Sequence, residues 1–204
     1  MEIKERIQQK AKDLFHRYGI KSITMDEIAT QLGASKKTIY QYFSDKDELV
    51  DTIISEMIGG AEHRCDHNLE SSRDAIHELF QAIDFVEEIF SEMNPAMMYD
   101  LERFHPQSYK RFLDYKNKYL LQLIRQNLRR GIEEELYRAD INIEILAKFR
   151  LEGMMLAFSQ DIFPATKFNL AELHKVIIEH FLFGVSSLKG YKLILKYQQE
   201  RLKN

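Results

Sequence analysis

Residues 24–46 read TMDEIATQLGASKKTIYQYFSDK and decide the fold of the N-terminal part of this chain. Thr24 and Glu27 have the T-x-x-E spacing of a capping box, so a helix is predicted to begin at Met25. Gly33 then suits a sharp turn, because glycine adopts the left-handed conformation without steric cost. Ser35 stands where an N-cap belongs, ahead of a second helix predicted over residues 36–43. The stretch therefore predicts two short helices joined by a tight turn.

The second of these helices has an apolar side and a polar side. Ile39 and Phe43 are four residues apart and are predicted to face inward. The remaining surface carries Lys36, Lys37, Thr38, Tyr40, Gln41 and Tyr42. An exposed helix with lysines, hydroxyl groups and aromatic rings suits the major groove of DNA, because it can contact both phosphates and base edges.

Helical patterns continue on both sides of this stretch. A helix predicted over residues 2–18 covers the apolar face of the turn unit, and a fourth helix is predicted from about residue 45, capped by Ser44 and weakened at Gly59-Gly60. Later patterns predict helices over 106–130, ended by Gly131, and over 143–163. We expect an all-α fold of about nine or ten helices. We expect a three-helix DNA-binding head over 1–46, followed by a larger helical body over 47–204.

Composition and charge limit the class of protein. The chain has 204 residues, of which 45% are hydrophobic and 30% charged. Nine basic and five acidic residues lie between positions 3 and 46, a net charge of +4, so the rest of the chain carries −7. A basic N-terminal part suits contact with phosphates. The single cysteine, Cys65, permits no internal disulfide, which fits a reducing cytoplasm, and no segment approaches the ~18 apolar residues of a membrane span.

The stretch ITMDEIATQLGASKKTIYQYFSDKDELV, residues 23–50, resembles the DNA-binding domain of the TetR family of bacterial transcriptional regulators. The resemblance covers roughly the first 50 residues; the remainder is similar to the family only in size and helical content. It implies a cytoplasmic bacterial protein, associated with the nucleoid when bound to DNA. It also implies a homodimer on a palindromic double-stranded operator, acting as a repressor that a small-molecule effector releases.

The predicted DNA contacts all lie in or beside the turn unit. They are Thr24, Ser35, Lys36, Lys37, Thr38, Tyr40, Gln41, Tyr42 and Lys46. Hydroxyl groups and backbone N–H groups at helix N-termini can bind phosphate, and a lysine can donate to guanine or neutralise phosphate. The resemblance implies base or backbone contact for Tyr40 and a phosphate contact for Lys46. The alternative interpretation is that Ser35 serves only as a helix cap and that the other side chains form an ordinary solvated surface.

The body offers candidates for an effector pocket and for a dimer interface. The pocket candidates are Phe85, Met97, Met98, Leu101, Phe104, Tyr119, Met154 and Phe158, although aromatic and methionine side chains at helical spacing also suit a plain core. The interface candidates are Gly153, Leu156, Ala157, Ile177, Phe181 and Gly184. They lie on two helices that are apolar around most of their circumference, which predicts burial on more than one side. Such helices could instead be buried wholly within one subunit.

Other classes of function have little support in the sequence. There is no glycine-rich phosphate loop, no GxSxG and no HExxH, so no enzyme activity and no cofactor are predicted. His63 and His67 have the i, i+4 spacing that can bind zinc, but Cys65 points elsewhere on a helix, so we expect no metal. A helical protein-binding scaffold, or a regulator without an effector, remains the alternative.

Overall fold

The computed structural model describes residues 2–91 and 93–202, which are helical throughout apart from short connections. Within these ranges there is no strand, only one isolated antiparallel bridge between Tyr137 and Ser186. The all-α class, with a helix-turn-helix head preceding a helical body, is confirmed. None of the helices in the described ranges is long and apolar enough to cross a membrane.

The helices follow one another with short connections. They are α1 Ile3–Tyr18, α2 Met25–Leu32, α3 Lys36–Tyr40, α4 Lys46–Ser71, α5 Ala75–Phe90, α6 Ala96–Phe104, α7 Pro106–Asp114, a π-helical segment Tyr115–Leu120, α8 Leu121–Glu133, α9 Ile143–Leu156, α10 Leu170–Val185 and α11 Leu188–Arg201. Because α7, the π-helical segment and α8 form one continuous run, the described residues make ten helices, within the predicted nine or ten.

Local sequence signals build the start of α2 and the turn that follows it as predicted. Thr24 and Glu27 form the capping box: the Glu27 N–H donates to Thr24 Oγ1 over 3.2 Å, and the Thr24 N–H donates to Glu27 Oε2 over 2.6 Å. Gly33 has φ 64° and ψ 28°, and the Ala34 N–H closes the end of α2 by donating to the Ala29 carbonyl over 2.9 Å. Apolar side chains of α1 to α4 then form one core. It includes Ile7, Phe15, Ile28, Ile39, Phe43 and Leu49, each at most 1% exposed.

Some predicted helix boundaries are wrong. Helix α3 ends at Tyr40, not at residue 43, and Asp45 rather than Ser44 caps α4, since its Oδ1 accepts from the Glu48 N–H over 2.8 Å. Gly131 does not end a helix, because α8 continues to Glu133. Helix α9 ends at Leu156, well before the predicted residue 163. The glycine pair at 59 and 60 lies inside an unbroken α4.

The chain forms two compact units, and the first contains the helix-turn-helix. In the described chain it comprises residues 2–61 and 93–115, so α6 and α7 belong to the same unit as α1 to α3. Polar contacts bind them together. The Lys21 N–H donates to Asp100 Oδ2 over 2.8 Å, and His105 Nδ1 lies 2.5 Å from Asp47 Oδ1. The domain boundary at 46/47 stays a prediction, and the outer ends of both predicted domains, Met1 and Asn204, lie outside the described residues.

The second unit comprises residues 62–91 and 116–202 of the described chain and has its own core. Helix α5 packs against α8, α10 and α11, and α9 packs against α8 and α10. Tyr137 lies in this core at 2% exposure, its hydroxyl 3.0 Å from Asn127 Oδ1 and 3.2 Å from the Ala75 carbonyl oxygen. Gly131 makes room for that ring, because a Cβ there would lie 2.0 Å from Tyr137 Cδ2.

Candidate nucleic-acid interface

Helix α3 is short, and its position is fixed at both ends. At its start the Thr38 N–H donates to Ser35 Oγ over 3.1 Å, and the two hydroxyl oxygens lie 2.8 Å apart. Ile39 and Phe43 are 0% and 1% exposed, so they hold its inner side in the core of the first unit. The helix therefore presents its outer side as a fixed surface.

That outer side carries most of the predicted DNA contacts. Lys36, Lys37, Tyr40, Gln41 and Tyr42 are exposed. Tyr40 is 43% and Tyr42 38% exposed. Thr38 is half-buried. The structure thus places cationic, hydroxyl, amide and aromatic groups on the outer surface of α3 and of the turn that follows it.

The two lysines of α3 differ in their surroundings. Lys36 Nζ lies 2.8 Å from Asp26 Oδ1, and the hydrogen bond to Asp26 raises the pKa of the lysine. Its ammonium also lies 5.9 Å from the centroid of the Tyr40 ring. Among the described residues no carboxylate forms an ion pair with Lys37. Lys37 can therefore approach a phosphate directly, whereas Lys36 must first leave Asp26.

Thr24 and Ser35 already have structural roles. The Thr24 hydroxyl donates to Glu27 Oε2 over 2.9 Å, and hydrogen bonds from Thr24, first from its backbone, keep the pKa of Glu27 below the ordinary value of 4.5. The carboxylate of Glu27 is therefore charged beside Thr24 at neutral pH. Ser35 caps α3 in the same way. Phosphate contacts through these two hydroxyls stay predictions, and each hydroxyl would have to serve cap and phosphate together.

Lys46 is turned partly inward. Its Nζ donates to the Ile20 carbonyl over 2.6 Å and lies 5.7 Å from the centroid of the Phe15 ring. Burial lowers the pKa of Lys46, and the nearby carboxylates of Asp100 and Glu27 oppose that change. The lysine thus ties α4 to the connection after α1. Its predicted phosphate contact would use the donors that remain on the ammonium group.

Sequence reasoning missed the acidic partners in this unit. Asp26 lies ten positions before Lys36, and Asp51, which accepts from Arg111 Nη2 over 2.9 Å, lies 60 positions before its partner. Neither separation is a local helical spacing, so only the folded chain reveals these pairs. The pair of Asp26 with Lys36 matters because a carboxylate beside a predicted DNA contact opposes the approach of phosphates.

The eight candidate pocket residues divide between the two units. Four belong to the first unit; of these, Met97 and Leu101 are 2% and 1% exposed. Four belong to the second unit, where the Phe158 ring centroid lies 5.3 Å from that of His174. Tyr119 donates to Asp66 Oδ1 over 2.6 Å, and burial is the main cause that raises its pKa. The pocket itself stays a prediction.

The six interface candidates differ in how far they are exposed. Ala157 and Phe181 are 1% and 5% exposed, so they belong to the core of the second unit in one chain. A Cβ on Gly153 would lie 3.3 Å from Ile177 Cγ2, so these two positions already pack against each other. Leu156 is 43% exposed. Gly184 is also exposed, with nothing within 4 Å of a Cβ built on it.

Large apolar side chains nevertheless remain exposed on α9 and α10. Ile145 and Phe149 are 64% and 61% exposed, and with Leu156 they recur at spacings of four and seven residues along one side of α9. Val176 of α10 is 57% exposed. The sequence shows that both helices are apolar around most of their circumference, but it does not show which side faces the core of the chain.

Taken together, the fold and this surface define an all-α helix-turn-helix protein. The sequence model of the bacterial regulatory proteins of the tetR family matches residues 7–53, which contain α2, the turn and α3. The N-terminal part of the chain is a helix-turn-helix domain of the TetR family, as the resemblance implied.

Related proteins agree with that assignment. The HTH-type transcriptional regulator YhgD of Bacillus subtilis is 31% identical over 86 residues, which are 40% of this chain and 45% of that protein. The chain thus spans about half the length of the curated relatives it matches.

Solved structures extend the likeness to most of the chain. A TetR-family regulator from Agrobacterium tumefaciens superposes with a TM-score of 0.73 at 18% identity, covering 90% of this chain and 97% of that one. A transcriptional regulator from Saccharomonospora viridis in complex with choline gives 0.71 at 18% identity, with the same coverage. At such identities the likeness concerns the fold.

Proposed function

We propose that this chain is a sequence-specific DNA-binding transcriptional regulator, and that it acts as a repressor. The observation that carries the proposal is the outer surface of α3 and of the turn that follows it. Lys37, Tyr40, Gln41 and Tyr42 are exposed there, while Ile39 and Phe43 are buried in the core. In helix-turn-helix proteins the second helix enters the major groove with its N-terminal residues at the base edges. The lysines would supply phosphate or guanine contacts, and the tyrosines would contact bases or the backbone.

Two copies of the chain would act together on a palindromic operator. The exposed apolar side chains Ile145, Phe149 and Leu156 of α9, with Val176 of α10, support a self-association surface, because apolar side chains grouped on an exposed face mark interaction sites. Two recognition helices related by a two-fold axis would read half-sites about 34–36 Å apart. The purified protein should then have about twice the 24.2 kDa mass of one chain.

A small molecule bound in the helical body would release the operator. The ligand must bind more tightly to a state whose recognition helices are wrongly spaced for DNA, since equal affinity for both states shifts nothing. The complex of the Saccharomonospora viridis protein with choline supports a ligand site in this fold. The candidates in the second unit, such as Phe158 beside His174, stay predictions for this chain.

The test begins by selecting bound fragments from random duplex DNA with the purified full chain. We expect Lys37→Ala and Tyr40→Ala to weaken binding to the selected fragment by about tenfold or more, the range of a lost base or phosphate contact. Lys37→Ala should also lower the slope of log affinity against log salt by about one. Lys110→Ala and Tyr99→Ala are matched controls, because both residues are exposed on helices α7 and α6 and should leave affinity unchanged.

The same experiment can reject the proposal. If no fragment is enriched and weak binding to duplex does not depend on salt, phosphate contacts do not drive binding. A helical protein-binding scaffold would then be the better interpretation. If fragments are enriched but both substitutions in α3 are neutral, the chain binds DNA through another surface.

A further inference from the structure

Arg150 is a buried cation that forms no ion pair among the described residues. It lies on α9 in the second unit, and its side chain is only 8% exposed. Its Nε is shielded from solvent and makes no hydrogen bond. Within the described chain, no carboxylate forms an ion pair with the guanidinium and no acceptor receives a hydrogen bond from it. Buried charges in proteins are ordinarily paired, so this side chain departs from the usual pattern.

The polar groups that interact electrostatically with Arg150 have other partners. Glu78 acts on Arg150 through its charge, but its Oε2 forms an ion pair with Arg130 Nη1 at 3.2 Å. Tyr137 also interacts electrostatically with Arg150, but its hydroxyl lies within hydrogen-bonding distance of Asn127 and of the Ala75 carbonyl oxygen. The remaining neighbour of this kind is the thiol of Cys65. None of these groups supplies a full negative charge that belongs to Arg150 alone.

The other surroundings of Arg150 are apolar. Its guanidinium carbon lies 5.5 Å from the centroid of the Phe181 ring. Ala147 and Leu151, beside it on α9, are 0% and 2% exposed. Burial lowers the pKa of Arg150, and electrostatic interactions with Tyr137, Glu78 and Cys65 oppose that change. An arginine nonetheless stays protonated in proteins, so the uncompensated charge persists at neutral pH.

We propose that Arg150 is the anchor of a ligand site in the second unit, and that the ligand is an apolar carboxylic acid. The guanidinium donates through a planar fork that matches the two oxygens of a carboxylate, and such bidentate pairs are strong where water is excluded. The apolar neighbours would accept a hydrocarbon or aromatic body. A cation such as choline, the ligand of the Saccharomonospora viridis protein, would be repelled here.

The ligand site and the proposed regulatory function can be tested separately. Only the role of the acid as an effector rests on the proposed function. Binding to Arg150 requires no DNA, so failure of the site can be distinguished from failure of the repressor hypothesis.

The experiment titrates the purified full chain with sodium decanoate by calorimetry, and uses 1-decanol as the uncharged probe of the same length. We expect decanoate to bind wild type about 10- to 100-fold more tightly than decanol, the range of a charge-assisted bidentate contact in a buried site. Arg150→Met should lose that preference and bind both probes alike. Arg150→Lys keeps the charge but not the fork, and should bind decanoate about tenfold more weakly than wild type.

A stability measurement guards against misfolded variants. Because Met is apolar and similar in length, Arg150→Met removes an uncompensated buried charge and should melt at the same temperature as wild type or higher. The proposal is overturned if decanoate binds no better than decanol, or if Arg150→Met retains the preference for decanoate. A clear fall in melting temperature for Arg150→Met would also overturn it, since Arg150 would then be satisfied by the protein itself.

Discussion

The helix-turn-helix segment of the first unit and the interior of the second unit differ in where their polar groups find partners. Between residues 24 and 48 of the first unit, the side chains that close the helix ends bond to groups three or four positions away, as Ser35 does with Thr38 and Asp45 with Glu48. In the second unit, the amide of Asn127 donates to the Ala75 carbonyl 52 positions away, and Tyr197 donates to Asp74 across 123 positions. Arg150 has no such partner.

The surface of the helix-turn-helix is therefore formed by local sequence signals, whereas the interior of the second unit is formed by contacts between distant segments. Caps and turns of the head are specified residue by residue, so α3 holds its shape through its nearest neighbours and through Ile39 and Phe43. The second unit depends on close approaches between distant segments. Within the described chain, the three buried side-chain atoms without a hydrogen-bond partner, on Gln81, Arg150 and His174, all lie there. A unit with unsatisfied interior groups is the place to expect a ligand.

The largest effect on stability should come from adding a methyl group where two segments of the second unit pack closely. A Cβ on Gly190 would lie 2.0 Å from the Leu136 carbonyl oxygen, a backbone atom that cannot rotate away. We expect Gly190→Ala to lower the free energy of unfolding by about 3 kcal/mol, at the upper end for overpacking. Chemical denaturation followed by circular dichroism measures the change.

A glycine of α4 provides the matched control. Gly59 is exposed in the middle of that helix, with nothing within 4 Å of an added Cβ. Gly59→Ala should therefore stabilise the protein by about 0.5–1 kcal/mol, the difference in helix propensity. If Gly190→Ala were as stable as wild type, the backbone around Leu136 in the second unit would be able to move and accommodate an added methyl group.

The same contrast explains which features could be predicted from the sequence. The capping box at Thr24, the turn at Gly33 and the cap at Ser35 depend on neighbours within four residues, so their spacing predicts them. Local sequence signals also predict that Gly131 ends a helix. In the structure it instead makes room for the ring of Tyr137 inside a helix that continues, a contact that no local spacing encodes.

The candidate sites divide in the same way. The exposure of Lys37 and Tyr40 follows from the positions of Ile39 and Phe43 on a short helix. The ion pair between Asp26 and Lys36 does not, because it joins two different helices. Nor could the sequence show that Ala157 and Phe181 are buried within one chain while Phe149 is exposed, since all three lie in segments predicted to be apolar around most of their circumference.

A second prediction concerns how the stability of the protein depends on pH. His174 is 1% exposed, and its Nδ1 lies 3.0 Å from the Leu170 carbonyl oxygen. Burial lowers its pKa from the ordinary 6.5, although the carbonyls of Leu170 and Met154 oppose the change. At His174 the unfolded chain therefore binds more protons than the folded one just below pH 6.5. The free energy of unfolding should fall as pH falls, and His174 should contribute at most about 1.4 kcal/mol per pH unit to that fall.

His174→Phe should make that part of the stability curve flatter. The ring would still pack beside Phe90 and Phe158, whose centroids lie 4.5 and 5.3 Å from that of His174. Burial also lowers the pKa of His77, so some dependence on pH should remain. His180→Gln is the control, because His180 is exposed on the same helix. An equal slope in wild type and His174→Phe, measured by denaturation between pH 5 and 7, would show that His174 takes up its proton without cost.

The smallest effect should come from the head, where one ion pair competes with DNA. Lys36 and Asp26 are 58% and 61% exposed, so their pairing in solvent is weak, but the carboxylate lies beside the proposed phosphate contacts. We expect Asp26→Asn to raise affinity for the selected operator about two- to fivefold, because Lys36 is freed and a negative charge is removed. Asp13→Asn makes the same change of charge at an exposed site on α1 and should have less effect. If Asp26→Asn weakened binding instead, the carboxylate would be orienting Lys36 toward the DNA, and the head would share with the second unit a dependence on contacts between different helices.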